Sequence, residues 1–477
     1  MLLDLNKNNH KELLEKMLWR RLPDLQEIHS IEQLTGGASR QMFKAQVQQA
    51  DQPLTIVLRR LSSGGESKPI LEQLPLSKEV VVLRVVIEAG VAVPQVYFEF
   101  EPEDEIGEGY AMQYIEGETL GGRIAKSKRF FEARKQLTKQ SAIALAKIHQ
   151  VDVAATELAP HLPTVTATSA IEKMYQVYRR SNLDIPMIEY AANWLRDNTP
   201  AAVSPTLIHA DFRNGNIMVD PQKGLVSVLD WELAALGDPM RDLAWLCLMP
   251  WRFGVGHLPV GGFGTTEELF QVYEAASGIK VDQDRFKFWQ VYGCYWWSIT
   301  CIMMGLSYRL EEGKLADRIA IGRRHTEGLM DIVNLLMPGP IDLPTVAASN
   351  QENDIATLRE LIQATQKDIT TMIMPTAKGK SLFVARVAIS NLGTALREVE
   401  QGPYRDQEEI KSTNALLKEN FEEVLDCRKA LCEQLRKGNN NFEEAKLQMH
   451  LKNCIARQIA IDQPTYAGLK EARKDAT

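Results

Sequence analysis

Between Leu207 and Trp231 the chain reads LIHADFRNGNIMVDPQKGLVSVLDW, a stretch that brings Asp211, Asn216 and Asp230 close together in sequence. These residue types can do a particular chemistry. A carboxylate such as Asp211 can accept the proton of an attacking hydroxyl. Asn216 and Asp230 offer hard oxygen ligands of the kind Mg²⁺ prefers. Phosphoryl transfer asks for that combination, because its loose transition state leaves the protein chiefly to position the nucleophile, the phosphates and the metal ions. His209 and Arg213 lie in the same loop and belong with the catalytic group. His209 is expected to order the loop through backbone bonds rather than to exchange protons.

The elements that must hold these groups can be read on either side. Leu207 and Ile208 form a short buried strand that runs into the loop, and Ile217 to Val219 form a second. Asp220 to Gly224 has the composition of a hairpin turn. Val226 to Leu229 is the returning strand, and it delivers Asp230 at its end. Earlier in the chain, Glu27 to Leu34 and Met42 to Val47 read as antiparallel strands. Gly36, Gly37 and Ser39 lie in the turn between them, where backbone N–H groups can approach phosphates. Leu54 to Arg60, Gln95 to Phe100 and Tyr110 to Tyr114 are further strands.

The ordered set His-x-Asp-x-x-x-x-Asn followed by Asp-Trp-Glu resembles the catalytic loop and metal site of the aminoglycoside phosphotransferase and choline kinase group. The longer run HADFRNGN…VLDWELAALGDPMRDLAWL is similar to one branch, the phosphotransferase domains fused in animals to acyl-CoA dehydrogenases. The resemblance implies an α+β, bilobal protein-kinase-like fold with an antiparallel-sheet N-lobe and a helical C-lobe. It implies ATP and Mg²⁺ as cofactors, Asp211 as the proton acceptor, and Asn216 and Asp230 as metal ligands. By the same resemblance Asp242 braces the catalytic loop from below. Arg59 stands where the third strand of that fold carries a phosphate-gripping Lys, and Glu79, in a helix from about Leu76 to Ala89, would be its partner. Arg in that place is not a conservative exchange. Met112 to Gly117 resembles a kinase hinge, with the Gln113 carbonyl and the Ile115 N–H facing the adenine edge.

The whole chain sets outer bounds. Its 477 residues suffice for two or three domains, and 45% hydrophobic with 25% charged residues is ordinary for a globular protein. The net charge of -7 argues against a nucleic-acid partner. Six cysteines without a CxxC pair read as free thiols in a reducing compartment, and the N-terminus has no apolar signal core, so a cytoplasmic location is expected. Phe288 to Tyr308 carries no charge and is nearly long enough to span a bilayer. Its Gln290, Ser298 and Thr300 instead suit a buried helix, so no membrane span is expected. His149 and His161 read as structural. Gly254 to Gly264 reads as an exposed loop near the acceptor site, in an aromatic-rich segment without an acidic cluster.

Domain boundaries follow from these elements: an N-terminal helix over 1–24, an N-lobe over 25–116, a C-lobe over 117–340, and a helical domain over 345–477 beyond the proline-rich Met337 to Pro344. In the last, Asp354 to Ile373, Ser381 to Gln401, Gln407 to Lys437 and Phe442 to Ile461 are expected helices, with a break at Gly402-Pro403. This bundle resembles a small helical domain of unknown function found beside such phosphotransferases. Its expected role is homodimer formation or partner docking. The function implied is an ATP- and Mg²⁺-dependent phosphotransferase acting on a small-molecule hydroxyl acceptor, with a hydroxyacyl-CoA as the acceptor suggested by the branch. An aminoglycoside- or choline-type kinase and a pseudokinase that regulates a partner are the alternatives.

Overall fold

The structure, a computed structural model, describes residues 8–34, 40–61, 72–309, 316–343, 357–438 and 443–474. The expected phosphate turn, with Gly36, Gly37 and Ser39, lies outside the described residues. The first half of the chain opens with α1 (Asn8–Arg21) and three long strands, β1 (Leu25–Leu34), β2 (Arg40–Gln49) and β3 (Gln52–Leu61). Helix α2 (Leu76–Glu88) follows, then β4 (Val96–Glu99) and β5 (Gly109–Gln113). Helices α3 (Gly121–Lys126), α4 (Phe131–His149), α5 (Ala167–Arg179) and α6 (Pro186–Asp197) lead to four short strands. These are β6 (Thr206–Ile208), β7 (Ile217–Asp220), β8 (Gly224–Val228) and β9 (Ala235–Gly237). The rest is helical, beginning with α7 (Met240–Leu246), α8 (Thr266–Ser277), α9 (Gln283–Ser307), α10 (Ala316–Gly322) and α11 (His325–Leu336). It ends with α12 (Leu358–Asp368), α13 (Gly379–Leu417), α14 (Val424–Arg436), α15 (Glu444–Asp462) and α16 (Ala467–Lys474).

These elements form two compact units. One comprises Met1–Thr166 with Ala202–Phe286, the other Ala167–Ala201 with Lys287–Thr477. In the first unit, five antiparallel strands run in the order β1-β2-β3-β5-β4. The β2–β3 hairpin closes through Ala50 and Asp51, both with positive φ, the backbone shape that matches the twist of a two-residue hairpin. Alternation along β2 and β3 turns Phe43, Ala45, Val47, Ile56 and Leu58 to one face, where Leu14, Met17 and Leu18 of α1 cover them. Burying side chains of this size contributes about 1.5–3 kcal/mol each, so α1 is part of the sheet's core rather than a loose leader.

In the second unit, α9 is the apolar helix expected around Phe288 to Tyr308. Its Phe288, Trp289, Tyr295, Ile299 and Cys301 are buried. Among the described residues, no helix is long and apolar enough to cross a membrane. Helices α6, α14 and α15 are tied together: Arg436 bonds both Asp184 and Glu189, and Tyr190 bonds Glu444.

Two helix boundaries differ from expectation. α13 runs unbroken through Gly402-Pro403, because Gly402 is buried and Arg405 pairs with Glu398 across that turn. Packing there outweighs the hydrogen bond that a proline removes from a helix. The expected helix Gln407 to Lys437 is instead split. Lys418 takes a left-handed conformation, and the Asn414 side chain closes a turn onto both backbone groups of Phe421. On α12 and the turn that follows it, the expected apolar face is only partly covered, since Leu358, Leu361 and Ile373 remain exposed.

Candidate active site

The four short strands exist to hold one loop. β6 pairs with β9 and β7 with β8, so residues 209–216 and 229–230 leave rigid strand ends side by side. Ile217 pairs with Val228, and Leu229 N–H donates to the Asn216 carbonyl at 2.8 Å. That pairing sets the Asn216 and Asp230 backbones beside each other. Asp230 takes a left-handed backbone conformation at the strand end, and Gly215 in the loop has φ +118°, a shape open to glycine. His209 links the two segments: its Nε2 bonds the Leu229 carbonyl at 2.9 Å, and its Nδ1 accepts from Asp211 N–H at 3.2 Å. These backbone bonds are the ordering role expected of it.

Asp211 is enclosed by donors. Oδ1 accepts from Trp245 Nε1 at 2.7 Å and from Arg213 Nε at 3.0 Å, and Oδ2 accepts from Asn216 Nδ2 at 2.5 Å. Burial pushes the Asp211 carboxyl above the usual carboxylate range, against the pull of Arg213. The Arg213 guanidinium lies 4.6 Å from the centre of the Trp251 ring. From below, Asp242 of α7 takes the backbone N–H groups of His209 at 2.7 Å and Ala210 at 2.8 Å. Its Oδ2 also lies 3.2 Å from His149 Nε2, and His149 Nδ1 lies 2.8 Å from the Tyr273 hydroxyl. Burial alone would raise the Asp242 pKa, but His149 and the loop amides hold it below the ordinary value.

A second cluster is built around Arg59 on β3. Its Nη2 lies 3.0 Å from Asp230 Oδ1, 3.3 Å from Glu79 Oε1 and 3.6 Å from Glu232 Oε2. The Arg59–Glu79 pair expected from the sequence forms, and both residues are buried. Tyr110 of β5 donates its hydroxyl to Glu79 at 3.0 Å. Burial acts to lower the Arg59 pKa, but Glu79 and Asp230 outweigh it and the net shift is upward. Glu232 is pushed up to about 7 by burial and by neighbouring Asp230, against Arg59 and Arg40. Gln113 ends β5, exposed, and Ile115 follows just beyond it.

Arg40, Gln73, Glu232 and Trp245 join these clusters without an expected role. Arg40 lies 3.6 Å from Glu232, and Gln73 donates to Glu232 at 2.8 Å. The Asp-Trp-Glu triplet held a signal for Glu232. Trp245 had none beyond its place in an apolar helix. The stretch Gly254 to Gly264 is also tighter than an exposed loop: Val260 to Gly264 is buried. Gly261 and Gly262 have positive φ, and the Gly261 carbonyl accepts from Asn214 Nδ2 at 2.7 Å, which ties this segment to the loop that carries Asp211.

A hard divalent cation suits the oxygen donors of Asn216 and Asp230. Among the described residues, no group of three or more His, Cys, Asp or Glu side chains is arranged to hold a metal by itself. Mg²⁺ needs none, since it is commonly bound by one or two protein groups with phosphates and water completing the shell.

Comparison with known proteins gives an independent view of the chain. A family model described as "Phosphotransferase enzyme family" matches residues 30–279, and one described as a domain of unknown function (DUF6285) matches residues 375–466. Acyl-CoA dehydrogenase family member 10 of Mus musculus is 28% identical over 268 residues, covering 51% of this chain and 24% of that protein. Acyl-CoA dehydrogenase family member 11 of Homo sapiens is 27% identical over 239 residues, covering 47% of this chain and 30% of that protein. The chain thus spans less than a third of the length of these relatives. A solved structure from Ralstonia eutropha, named provisionally as an aminoglycoside phosphotransferase, shares the fold at a TM-score of 0.52 and 22% identity. The match covers 68% of this chain and 98% of that one.

Proposed function

The chain belongs to the phosphotransferase enzyme family, and from that premise we propose that it transfers the γ-phosphoryl group of ATP, with Mg²⁺, to a hydroxyl of a small molecule. The observation that carries this reading is the convergence of Asp211, Asn216 and Asp230 at the ends of β6, β7 and β8, with Arg59 3.0 Å from Asp230. The acceptor's hydroxyl proton passes to a carboxylate oxygen of Asp211 while the hydroxyl oxygen bonds the γ-phosphorus. The bond from that phosphorus to the bridging oxygen breaks, and ADP leaves. The raised pKa of Asp211 suits it to accept a proton. Asn216 and Asp230 would hold Mg²⁺, which when bound neutralises charge on the phosphates. Arg59, anchored by Glu79, would grip phosphate oxygens. Gly36, Gly37 and Ser39 would meet the phosphates through the backbone, and Gln113 and Ile115 the adenine edge.

For the acceptor, the reading is a hydroxylated acyl thioester such as a hydroxyacyl-CoA. The names of the relatives favour it. So does the setting of Asp211, where Trp245, Trp251 and the cation Arg213 are neighbours. A cation and aromatic rings suit an anionic, partly apolar acceptor better than a polycationic antibiotic. The six cysteines are free thiols, which supports a reducing, cytoplasmic setting. The C-terminal helices are read as a dimerisation or docking element, supported by the exposed Leu358, Leu361 and Phe383.

The test is ADP release by the full chain with hydroxyacyl-CoAs, kanamycin, choline and sugars side by side. Turnover of hydroxyacyl-CoAs is expected. Turnover of kanamycin or choline without hydroxyacyl-CoAs would contradict the acceptor. Tight Mg-ATP binding without transfer to any acceptor would favour a nucleotide-binding regulatory protein, the reading that Arg59 in place of Lys supports.

A further inference from the structure

Helix α7 presents two side chains to the catalytic loop from one face. Asp242 and Trp245 are three residues apart, the spacing that stacks side chains on one side of a helix. Asp242 holds the backbone of the loop at His209 and Ala210. Trp245 holds the side chain of the next residue, with Nε1 2.7 Å from Asp211 Oδ1. The helix is buried along its whole length, so its position is fixed by packing rather than by the loop it supports. An indole N–H can only donate, and a rigid two-torsion ring delivers that donor at one place. Arg213 Nε reaches the same Oδ1 at 3.0 Å, and Arg213 is itself seated on the Trp251 ring. Two donors therefore engage one carboxylate oxygen, while Oδ2 faces the Asn216 amide.

We propose that Trp245 is a positioning residue for phosphoryl transfer: its indole N–H, with Arg213 Nε–H, fixes the Asp211 carboxylate so that Oδ2 is the oxygen that takes the acceptor's proton. This rests on the assignment of Asp211 as proton acceptor. The carboxylate is thereby held in one rotamer before the acceptor arrives, which removes a reorganisation step from the reaction. A smaller aromatic ring without the N–H should leave the nucleotide site in place and slow only the transfer. A hydrogen bond to a charged group is worth enough to make that about a 10- to 100-fold loss of rate.

The experiment is a double-mutant cycle in the full chain, with Trp245→Phe, Asp211→Asn and the pair, each measured for kcat, KM and Mg-ATP affinity. The proposal expects Trp245→Phe to lower kcat with Mg-ATP affinity unchanged, and to cost nothing further when Asp211 is already Asn. An unchanged kcat in Trp245→Phe, or an equal additional loss in the Asp211→Asn background, would overturn it. If Asp211→Asn itself keeps full turnover, the proposed reaction assignment fails first, and that result is distinct. Should Trp245→Phe fail to fold, indole N–H resonances of the unmutated protein and Asp211→Asn give the answer. One of the eight tryptophan signals should move upfield when the carboxylate is lost, and eight unmoved signals would refute the contact.

Discussion

Replacing Asp242 tests how the loop that carries Asp211 is held. Its Oδ1 serves Ala210 N–H, and its Oδ2 serves His209 N–H and faces His149. In Asp242→Asn the amide nitrogen must take one of these oxygen positions, so whichever way it turns it faces a backbone donor. One buried N–H then loses its acceptor, at a cost of about 1–3 kcal/mol. Asp242→Ala removes both oxygens and leaves the His209 and Ala210 N–H groups without acceptors, so it should cost more, about 2–6 kcal/mol at about 1–3 kcal/mol for each buried donor. Ala210 offsets part of this, because its φ of +63° is a conformation that costs a non-glycine residue about 1–2 kcal/mol in the intact protein. Without Asp242 the loop can relax away from that shape. Urea unfolding at pH 7, followed by circular dichroism, should show the Asn variant weakened by about 2 kcal/mol, with turnover falling in parallel. Because the Asp242 pKa is lowered, its contribution is complete above the ordinary carboxylate value. It is lost as pH falls through the folded-state value, so the two proteins should converge in acid. A loss below about 0.5 kcal/mol with normal turnover would show that the bonds to His209 and Ala210 do not support the loop.

Two further outcomes rest on buried groups elsewhere in the structure. Arg59→Met should weaken Mg-ATP binding and turnover together, since it removes the proposed phosphate contact and strands buried Glu79; unchanged KM and kcat would take Arg59 out of the proposed nucleotide site. In the helical unit, burial lowers the His450 pKa from 6.5 to about 4, so the unfolded chain gains a proton before the folded one does. Stability should therefore fall as pH drops from about 6.5 to 4, by up to about 3 kcal/mol, and His450→Gln should flatten that dependence in urea titrations; equal slopes would contradict it.

The grouping of the candidate site was legible because its residues sit at the ends of short strands joined by turns, where position in sequence nearly fixes position in space. The β7–β8 register sets Asn216 beside Asp230, and the Asn216 amide reaches Asp211 only five residues back. Arg59 and Glu79 needed a resemblance to be paired, since the strand and helix that carry them are linked only through tertiary packing. Trp245 was out of reach for a related reason: its partner Asp211 is 34 residues away, and an apolar helix position gives no hint of a donor bond. Local breakers also misled. Gly402-Pro403 lies inside a continuous helix, while the real break at Lys418 has neither Gly nor Pro and depends on an Asn414 side chain. Prolines around Pro338 do end α11, yet the compact second unit includes helices on both sides of them. Composition marks where a chain can turn, and burial decides where it does.

The most direct test of the central claim compares Asp211→Asn with Asp230→Asn, using calorimetric titration of Mg-ATP beside ADP release with a turned-over acceptor. Asp211 is assigned to the acceptor's proton and Asp230 to the metal. Asp211→Asn should therefore keep Mg-ATP affinity while turnover drops about 10²–10⁴-fold, the usual share of general-base assistance. Asp230→Asn should lose both Mg²⁺-dependent nucleotide binding and turnover. Equal loss of binding in the two variants would contradict the division of roles between these aspartates.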